Sequence, residues 1–172
     1  MTGLLQRAPQ PAVRRCTRGF TLIELVMVIV MLGILAVFVA PKFTGTSVFN
    51  ARGFHDETLA YLRYAQKTAV AQRRTVCVTF PDASTVRLSL ASTANSWTCN
   101  ATLIGPRGES PAQATAKSGV TFLNNTAPGN FRFDSLGQPV DSSGVRMVVP
   151  AMQVNGASAA INVETVTGYV HD

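Results

Sequence analysis

The sequence has few of the residues from which catalytic and metal sites are built. Its 172 residues include only two histidines, His55 and His171, and three cysteines. The histidines are far apart, and no Cys-x-x-Cys or His-x-x-x-His spacing occurs, so no zinc site is predicted. No glycine-rich phosphate loop and no Ser-His-Asp arrangement can be identified. We therefore predict no catalytic residue, no metal and no cofactor, and we expect a protein that is not an enzyme.

The longest stretch that lacks charge lies near the amino terminus. From Phe20 to Ala40 nearly every side chain is aliphatic or aromatic, and Glu24 is the one charged residue. A helix of about 20 residues is roughly 30 Å long, enough to cross the hydrocarbon core of a bilayer. A carboxylate at the centre of such a span costs roughly 2.5–3.5 kcal/mol. Glu24 lies near the start, where the cost is smaller, but it still requires a polar partner.

The residues that open this run, Gly19-Phe20-Thr21-Leu22-Ile23-Glu24-Leu25, resemble the processing motif of type IV prepilins and type II secretion pseudopilins. The resemblance implies that a membrane aspartic peptidase cuts after Gly19 and that the new amino terminus, Phe20, is N-methylated. It also implies that Glu24 makes an assembly contact and that Pro41 interrupts the helix. The implied partners are the prepilin peptidase and N-methyltransferase, an inner-membrane assembly platform, membrane lipid before assembly, and other pilins or pseudopilins in a filament.

Two alternative interpretations of the apolar run explain less of it. A secretory signal peptide is cut after small residues beyond its apolar core. The best such site follows Ala40, but Phe38 and Pro41 around it are poor for that peptidase, and the run is long for a signal core. A plain single-pass anchor explains the length and the basic flank, but it gives no reason for Glu24.

Most of the net positive charge precedes the expected cut. The chain has a formal charge of +6 and a pI near 9.8, but four of its 15 basic residues lie before Phe20. The remaining 11 basic and nine acidic residues give a mature charge of about +2. Basic residues beside the run predict a cytoplasmic amino end, with the residues after Pro41 in the periplasm or exterior. The residues beside the run are Arg14, Arg15 and Arg18, and Arg7 lies further upstream.

A helical pattern returns after the apolar run. Spacings of three and four connect a stripe of residues. The stripe contains Leu59, Leu62, Ala65, Ala69 and Gln72. We expect an amphipathic helix from about 54 to 73 that packs on a sheet, with His55 solvated at its start.

Beyond Thr75 the pattern changes to short strands separated by Gly, Pro and Asn turns. Residues 75–80 and 85–90 predict a hairpin that turns at Pro81-Asp82. Further strands are predicted at 120–123, 131–133, 145–149, 160–163 and 168–170. The predicted fold class is α+β and pilin-like, with a long N-terminal α-helix packed on antiparallel sheet. Its predicted segments are a cleaved leader (1–19), a transmembrane and filament-core helix (20–40), an amphipathic continuation (41–74) and an antiparallel β domain (75–172).

Two of the three cysteines remain in the expected mature chain. Cys16 leaves with the leader, whereas Cys77 and Cys99 form an even pair in an oxidising compartment, which favours a disulfide. Trp97-Thr98-Cys99 is expected to pair near the first strand and bring the two thiols together. The alternative is two buried free thiols, because cysteine packs as a small hydrophobe.

Two further segments carry weaker resemblances. Residues 131–139, Phe-Arg-Phe-Asp-Ser-Leu-Gly-Gln-Pro, and residues 165–170, Thr-Val-Thr-Gly-Tyr-Val, resemble the minor pseudopilin H and FimT family. Residues 52–57, Arg-Gly-Phe-His-Asp-Glu, are similar to minor pilins of mannose-sensitive haemagglutinin pili. These resemblances imply a minor subunit and leave open whether its filament is a type IV pilus or a type II secretion pseudopilus.

The functional hypothesis is therefore assembly. By resemblance, the Glu24 carboxylate meets the positively charged amino terminus of a neighbouring subunit's Phe20. The alternative is a FimT-like minor pilin that binds DNA in natural transformation, although the carboxyl-terminal residues lack the arginines expected for that role. The remaining candidates for a basic cluster are Arg73, Arg74, Arg107, Arg132 and Arg146.

Overall fold

The computed structural model describes residues 19–39 and 46–172. They fall into two compact units, one that ends at Phe43 and one that runs from Thr44 to Asp172. Most of the expected leader, with its four arginines and Cys16, lies outside the described residues. So does the expected kink at Pro41.

In the described part of the first unit, three non-helical residues precede an apolar helix, α1, from Leu22 to Val39. Apolar side chains surround it on every side, and those from Leu22 to Leu35 are exposed within this chain. A helix that is apolar all round is one that other protein or lipid covers. Among the described residues, no helix combines the length and the apolar character needed to cross a membrane.

The second unit begins with a helix, α2, which runs from Thr46 to Gln72. The predicted start near residue 54 is therefore wrong. Ala51 and Phe54 are both buried, so the stripe that packs on the sheets reaches further toward the amino end than the spacing pattern indicated. Tertiary packing of this stripe stabilises the additional turns, since most helical stability in proteins comes from such packing.

Two side chains of α2 lie elsewhere than predicted. His55 is buried rather than solvated, because α2 begins two turns before it and places it on the inner side. Its Nδ1 lies 3.0 Å from Oδ1 of Asp56. Gln72 is exposed rather than part of the stripe, because the last three residues of α2, Val70 to Gln72, all face solvent. The other predicted stripe residues are buried: Leu59, Leu62, Ala65 and Ala69.

A Schellman motif ends α2. The backbone N–H of Arg74 donates to the carbonyl of Ala69 at 3.2 Å, and that of Arg73 donates to the carbonyl of Val70 at 3.3 Å. Arg73 has a φ of 51°, the left-handed conformation that this motif requires. The chain thereby reverses directly into the first strand.

The larger sheet is antiparallel and has six strands. Its order is β3-β2-β1-β5-β6, and β4 also pairs with β2. The strands are β1 (Val76–Asp82), β2 (Thr85–Leu90), β3 (Ala101–Thr102), β4 (Gln113–Thr115), β5 (Phe131–Phe133) and β6 (Pro139–Val140). α2 contacts β1, β2, β4 and β5, so it lies across one face of this sheet.

The predicted hairpin is present, but its turn is displaced. β1 continues through Pro81 to Asp82, and the turn is at Ala83 and Ser84. The register shifts between Thr79 and Asp82, and proline is tolerated in a strand at such an irregularity. Oδ1 of Asp82 accepts hydrogen bonds from the backbone N–H and the hydroxyl of Ser84, both at 2.7 Å, which closes the turn.

A second, three-stranded antiparallel sheet is built from the carboxyl-terminal residues. Its strands are β7 (Met152–Gln153), β8 (Ala160–Val163) and β9 (Val170–His171), paired in that order. α2 also contacts β9, and Nε of Arg63 donates to the carbonyl of Val170 at 2.9 Å. The chain therefore has the expected α+β, pilin-like architecture, a helix packed on antiparallel sheets.

Aromatic side chains pack against one another in the core between α2 and the sheets. Phe122 packs against Phe54 with ring centroids 5.3 Å apart and against Phe80 at 5.4 Å. Phe131 and Phe133 face the same side of β5, as the sequence predicted, and their centroids are 5.3 Å apart. Such pairs contribute about 0.5–1.5 kcal/mol each beyond the burial of their surface.

Several predicted strands are wrong. Residues 120–123 give a single bridge between Phe122 and Val154, followed by a 3₁₀ turn at Leu123–Asn125. Residues 145–149 give a single bridge between Val140 and Arg146, and Val145 and Val148 are exposed, so their β-branched side chains do not mark a buried strand. Residues 97–99 are irregular. The unpredicted strands β3, β4, β6 and β7 have two or three residues each, too few to show an alternating pattern.

Two glycines lie where a loop of the larger sheet contacts a loop of the smaller sheet. Gly168 has a φ of 66°, and a Cβ at this position would overlap the carbonyl oxygen of Gly137. Nε2 of Gln66 donates to the carbonyl of Thr167 at 2.9 Å and lies 3.5 Å from that of Gly137. The loops after β5 and after β8 therefore meet over α2 at a place that has no room for a side chain.

We expect Gly168→Ala to lower the free energy of unfolding by about 3 kcal/mol, because it adds a steric overlap to the cost of a left-handed φ. Gly108→Ala is the matched control: Gly108 has a φ of 85°, but nothing lies within 4 Å of an added Cβ. It should cost only about 1 kcal/mol. Chemical denaturation of both variants measures the difference, and equal losses would show that the two loops are not in close contact.

Candidate functional site

The amino-terminal end of α1 is capped by Thr21. Its hydroxyl oxygen accepts a hydrogen bond from the backbone N–H of Glu24 at 3.3 Å, and its carbonyl accepts from the N–H groups of Glu24 and Leu25 at 3.1 Å. A threonine three residues before a glutamate is the pattern of a capping box. Thr21 was not predicted as a cap, although the spacing Thr-x-x-Glu is the sequence signal of a capping box. The cap fixes the first helical residue as Leu22.

The peptide bond between Gly19 and Phe20 therefore lies outside the helix. Both residues are non-helical and exposed, and Phe20 is 78% exposed. Among the described residues, nothing lies within 4 Å of the position that a Cβ of Gly19 would occupy. Within the described part of the chain, this bond is open to an enzyme that approaches from solvent.

Glu24 occupies the first turn of α1, and its side chain is exposed. A negative charge is favourable there, because the helix dipole places partial positive charge at this end. In residues 19–39 and 46–172, the Glu24 carboxylate has neither a hydrogen bond nor an ion pair. The exposed side chains beside it, including Ile23, Leu25 and Met27, are apolar.

Residues 14–40 match the family model for the prokaryotic N-terminal methylation motif. They carry a type IV prepilin signal. The matched segment contains Gly19, Phe20 and Glu24 and covers 27 of the 172 residues. No curated protein and no solved structure matches the chain significantly.

The prepilin signal supports a coarse statement about this chain. It indicates a type IV pilin-like precursor that prepilin peptidase processes. It also indicates a structural subunit rather than an enzyme, and it implies assembly with other pilins. In the described ranges, no group of three or more His, Cys, Asp or Glu side chains is placed to hold a metal ion.

The structure brings the two expected disulfide partners together in the globular unit. A disulfide joins Cys77 on β1 to Cys99, with their Cα atoms 6.1 Å apart. Cys99 follows an irregular segment rather than a strand, so the bond, and not strand pairing, fixes this segment against the larger sheet. In the chain-entropy model, closing a loop of about this length contributes on the order of 3 kcal/mol.

The five arginines of the DNA-binding alternative do not form one basic surface. Nη2 of Arg107 lies 2.5 Å from Oε1 of Glu57 and donates to the hydroxyl of Tyr61 at 3.3 Å. Arg132 lies on β5, with Nε 3.2 Å from Sγ of Cys77. Arg146 donates to Oε1 of Gln138 at 2.7 Å, and Arg73 and Arg74 follow the end of α2. Arg107 lies beside Tyr61, and Tyr61 is about 18 Å from Arg73 along the helix axis. This distribution does not favour phosphate-backbone binding, which needs several cations along one path.

Tyr61 anchors a long loop to α2. Its buried hydroxyl donates to the Glu109 carboxylate and lies 3.2 Å from the carbonyl oxygen of Gln113. Burial raises the pKa of Tyr61 to about 12, and the hydrogen bond to Glu109 acts in the same direction. The same hydrogen bond is the main reason why the pKa of Glu109 is lowered. The pair is therefore most stable with the phenol protonated and the carboxylate ionised.

We expect the stabilisation from Tyr61 to be lost at high pH. Its pKa is higher in the folded state, about 12, than the usual 10, so the contribution is fully present below pH 10 and disappears as the pH rises through 12. Ultraviolet absorbance should show a tyrosine that ionises near pH 12 in the native chain and is missing in Tyr61→Phe. The same number of late-ionising tyrosines in both proteins would contradict the assignment.

Proposed function

We propose that this chain is a minor pilin or pseudopilin, a structural subunit that assembles into, or initiates, a type IV pilus or a type II secretion pseudopilus. The observation that carries the proposal is the prepilin signal at residues 14–40 joined to a domain in which a helix packs on antiparallel sheets. Before assembly, the apolar run from Phe20 holds the subunit in the inner membrane. The amino end is then cytoplasmic and the β domain periplasmic.

Charge and cysteine chemistry support this topology. The basic residues beside the run keep the amino end in the cytoplasm, as the positive-inside rule requires. The disulfide between Cys77 and Cys99 belongs to an oxidising compartment such as the periplasm. Both features support a β domain on the side of the membrane where a filament grows.

Processing is the first step of the proposed mechanism. Prepilin peptidase cuts between Gly19 and Phe20, and the new amino group of Phe20 is methylated. The exposed, non-helical geometry of this bond supports the cut site, because Thr21 delays the helix until Leu22. Cleavage also removes the basic leader and creates a positive charge at the end of an apolar helix.

Assembly is the second step. Moving an apolar helix from lipid to neighbouring apolar helices changes little in hydrophobic burial, so specificity depends on packing and polar pairing. Glu24 provides the polar partner: its carboxylate pairs with the ammonium group of Phe20 in an adjacent subunit. An unpaired carboxylate in this environment is costly. A subunit that enters at an axial position where Glu24 cannot reach an ammonium group is therefore disfavoured.

The assignment as a minor subunit rests on the two carboxyl-terminal segments that resemble the minor pseudopilin H and FimT family. In the structure the two segments are in contact, because Nε2 of Gln138 in the first donates to the carbonyl of Val166 in the second at 2.8 Å. Deleting the gene and scoring surface pili against secreted enzymes distinguishes a pilus from a secretion pseudopilus.

We expect Gly19→Leu to leave an uncut precursor, because a large side chain would stand beside the bond at a position that has none. Gly33→Leu is the matched control, since Gly33 lies in the middle of α1 with nothing within 4 Å of an added Cβ. Co-expression with prepilin peptidase and gel analysis measures the cut fraction. A normal mature band from the Gly19 variant would refute this cut site.

We expect Glu24→Ala and Glu24→Val to be cut and inserted into the membrane but to be absent from filaments, because they cannot pair with an ammonium group. Leu25→Ala is the control, a truncation at the next position of the same helix that leaves the charge unchanged. Membrane fractionation and immunoblotting of sheared filaments measure both steps. Normal incorporation of the Glu24 variants would rule out the pairing mechanism.

A further inference from the structure

The larger sheet carries a polar cleft on the face opposite α2. We propose that this cleft binds a small hydroxylated carboxylate, such as a uronic acid, through the guanidinium group of Arg132. The inference does not depend on the assembly proposal, because it concerns residues of the β domain alone.

Alternation along β1 and β5 defines the face. Val76 and Val78 on β1, like the two phenylalanines of β5, point into the core beneath α2. Cys77 and Arg132 are directly opposite each other in the β1–β5 pairing and point the other way. The cleft above them has a volume of about 430 Å³. Sites for small molecules in proteins have volumes of roughly 300–1,000 Å³.

The guanidinium group of Arg132 is held in a fixed orientation. Its Nε donates to Sγ of Cys77 at 3.2 Å, and its Nη1 donates to the backbone carbonyl of Asp141 at 3.2 Å. A planar guanidinium group has five N–H donors, so the outer edge still has donors for a bidentate contact. Because the protein itself holds the group, a ligand would not have to order it, which lowers the cost of binding.

Charge indicates the class of ligand. None of the side chains that line the cleft is acidic, and Arg132 is the one cation among them. The nearby Asp141 carboxylate accepts hydrogen bonds from the backbone N–H groups of Ser143 and Val145 and does not line the cleft. One guanidinium group matches one negative charge, as in a carboxylate. A phosphate group would normally require further cations or a cradle of backbone N–H groups. We therefore infer a carboxylate rather than a phosphate.

The remaining lining indicates hydroxyl groups on the ligand. Ser89, Thr98 and Ser142 line the cleft, and the hydroxyls of the exposed Thr98 and Ser142 are free to exchange water for a ligand. Each hydroxyl can both donate and accept. A ring that carries several hydroxyls beside its carboxylate would satisfy these groups, and the cleft has room for a monosaccharide.

The walls of the cleft are rigid on two sides. The disulfide anchors the segment that carries Thr98. The ring of Trp97 packs against Gly144, in the turn that carries Ser142, so closely that a Cβ at Gly144 would overlap it. Trp97 is the sole tryptophan of the chain and lies beside the residues that line the cleft. Its fluorescence is therefore a specific reporter for this region.

The test is a fluorescence titration of the full-length chain in detergent micelles at constant ionic strength. We expect glucuronate to change Trp97 emission saturably with a Kd in the millimolar range, and glucose, which lacks the carboxylate, to have no saturable effect. A response of equal size to glucose, or no saturable response to glucuronate, would overturn the proposal.

Matched variants locate the binding. Arg132→Gln should weaken glucuronate binding about tenfold or more, since hydrogen bonds to charged groups contribute about 1.5–3 kcal/mol. Arg87→Gln removes the same charge from the same face of the larger sheet. The Arg87 guanidinium group donates to Gln113 on β4 and does not line the cleft, so this variant should leave the Kd unchanged. Should Arg132→Gln fail to fold, Thr98→Val with Ser142→Ala should weaken binding about threefold without removing a hydrogen bond of the fold. An unchanged Kd in the variants of the cleft would overturn the assignment.

Discussion

A carboxylate in the first turn of an apolar helix is the constraint on which the account of this protein depends. The Glu24 carboxylate interacts favourably with the helix dipole but would be costly in lipid, and the proposed assembly gives it a positively charged partner in a neighbouring subunit. Thr21 caps the same turn and keeps Phe20 outside the helix. In the proposed mechanism, cleavage before Phe20 creates the ammonium group with which the Glu24 carboxylate of a neighbouring subunit pairs.

The β domain depends on a different set of interactions. Several of its strands have only two or three residues, so strand pairing alone does not hold it. α2 provides the common support: aromatic residues fill the core beneath it, and polar side chains such as Tyr61 and Gln66 fix loops from distant parts of the chain. The disulfide adds a covalent restraint on the opposite face of the larger sheet.

The sequence predicts this fold best where a single pattern dominates. The apolar run, the hairpin of β1 and β2 and the paired phenylalanines of β5 follow from periods that any element of their type must show. The start of α2 was not predictable in this way, because burial of Ala51 and Phe54 against the sheets stabilises turns that the local pattern leaves ambiguous. Val145 and Val148 show the opposite error, since exposed β-branched residues resemble a strand without forming one. The wrong prediction that His55 is solvated has the same cause, because it placed this residue at the start of the helix.

The prepilin signal could be identified from the sequence because its residues lie next to one another. The polar cleft could not, because Arg132, Ser142 and Thr98 come from separate loops and strands that only the folded chain brings together. Mass spectrometry of the native protein, isolated from its own cells, tests the role of this signal most directly. Cleavage after Gly19 and methylation predict a polypeptide that begins at Phe20 with an N-methylated amino group. A native chain that begins at any other residue would contradict the account and leave Glu24 without its proposed partner.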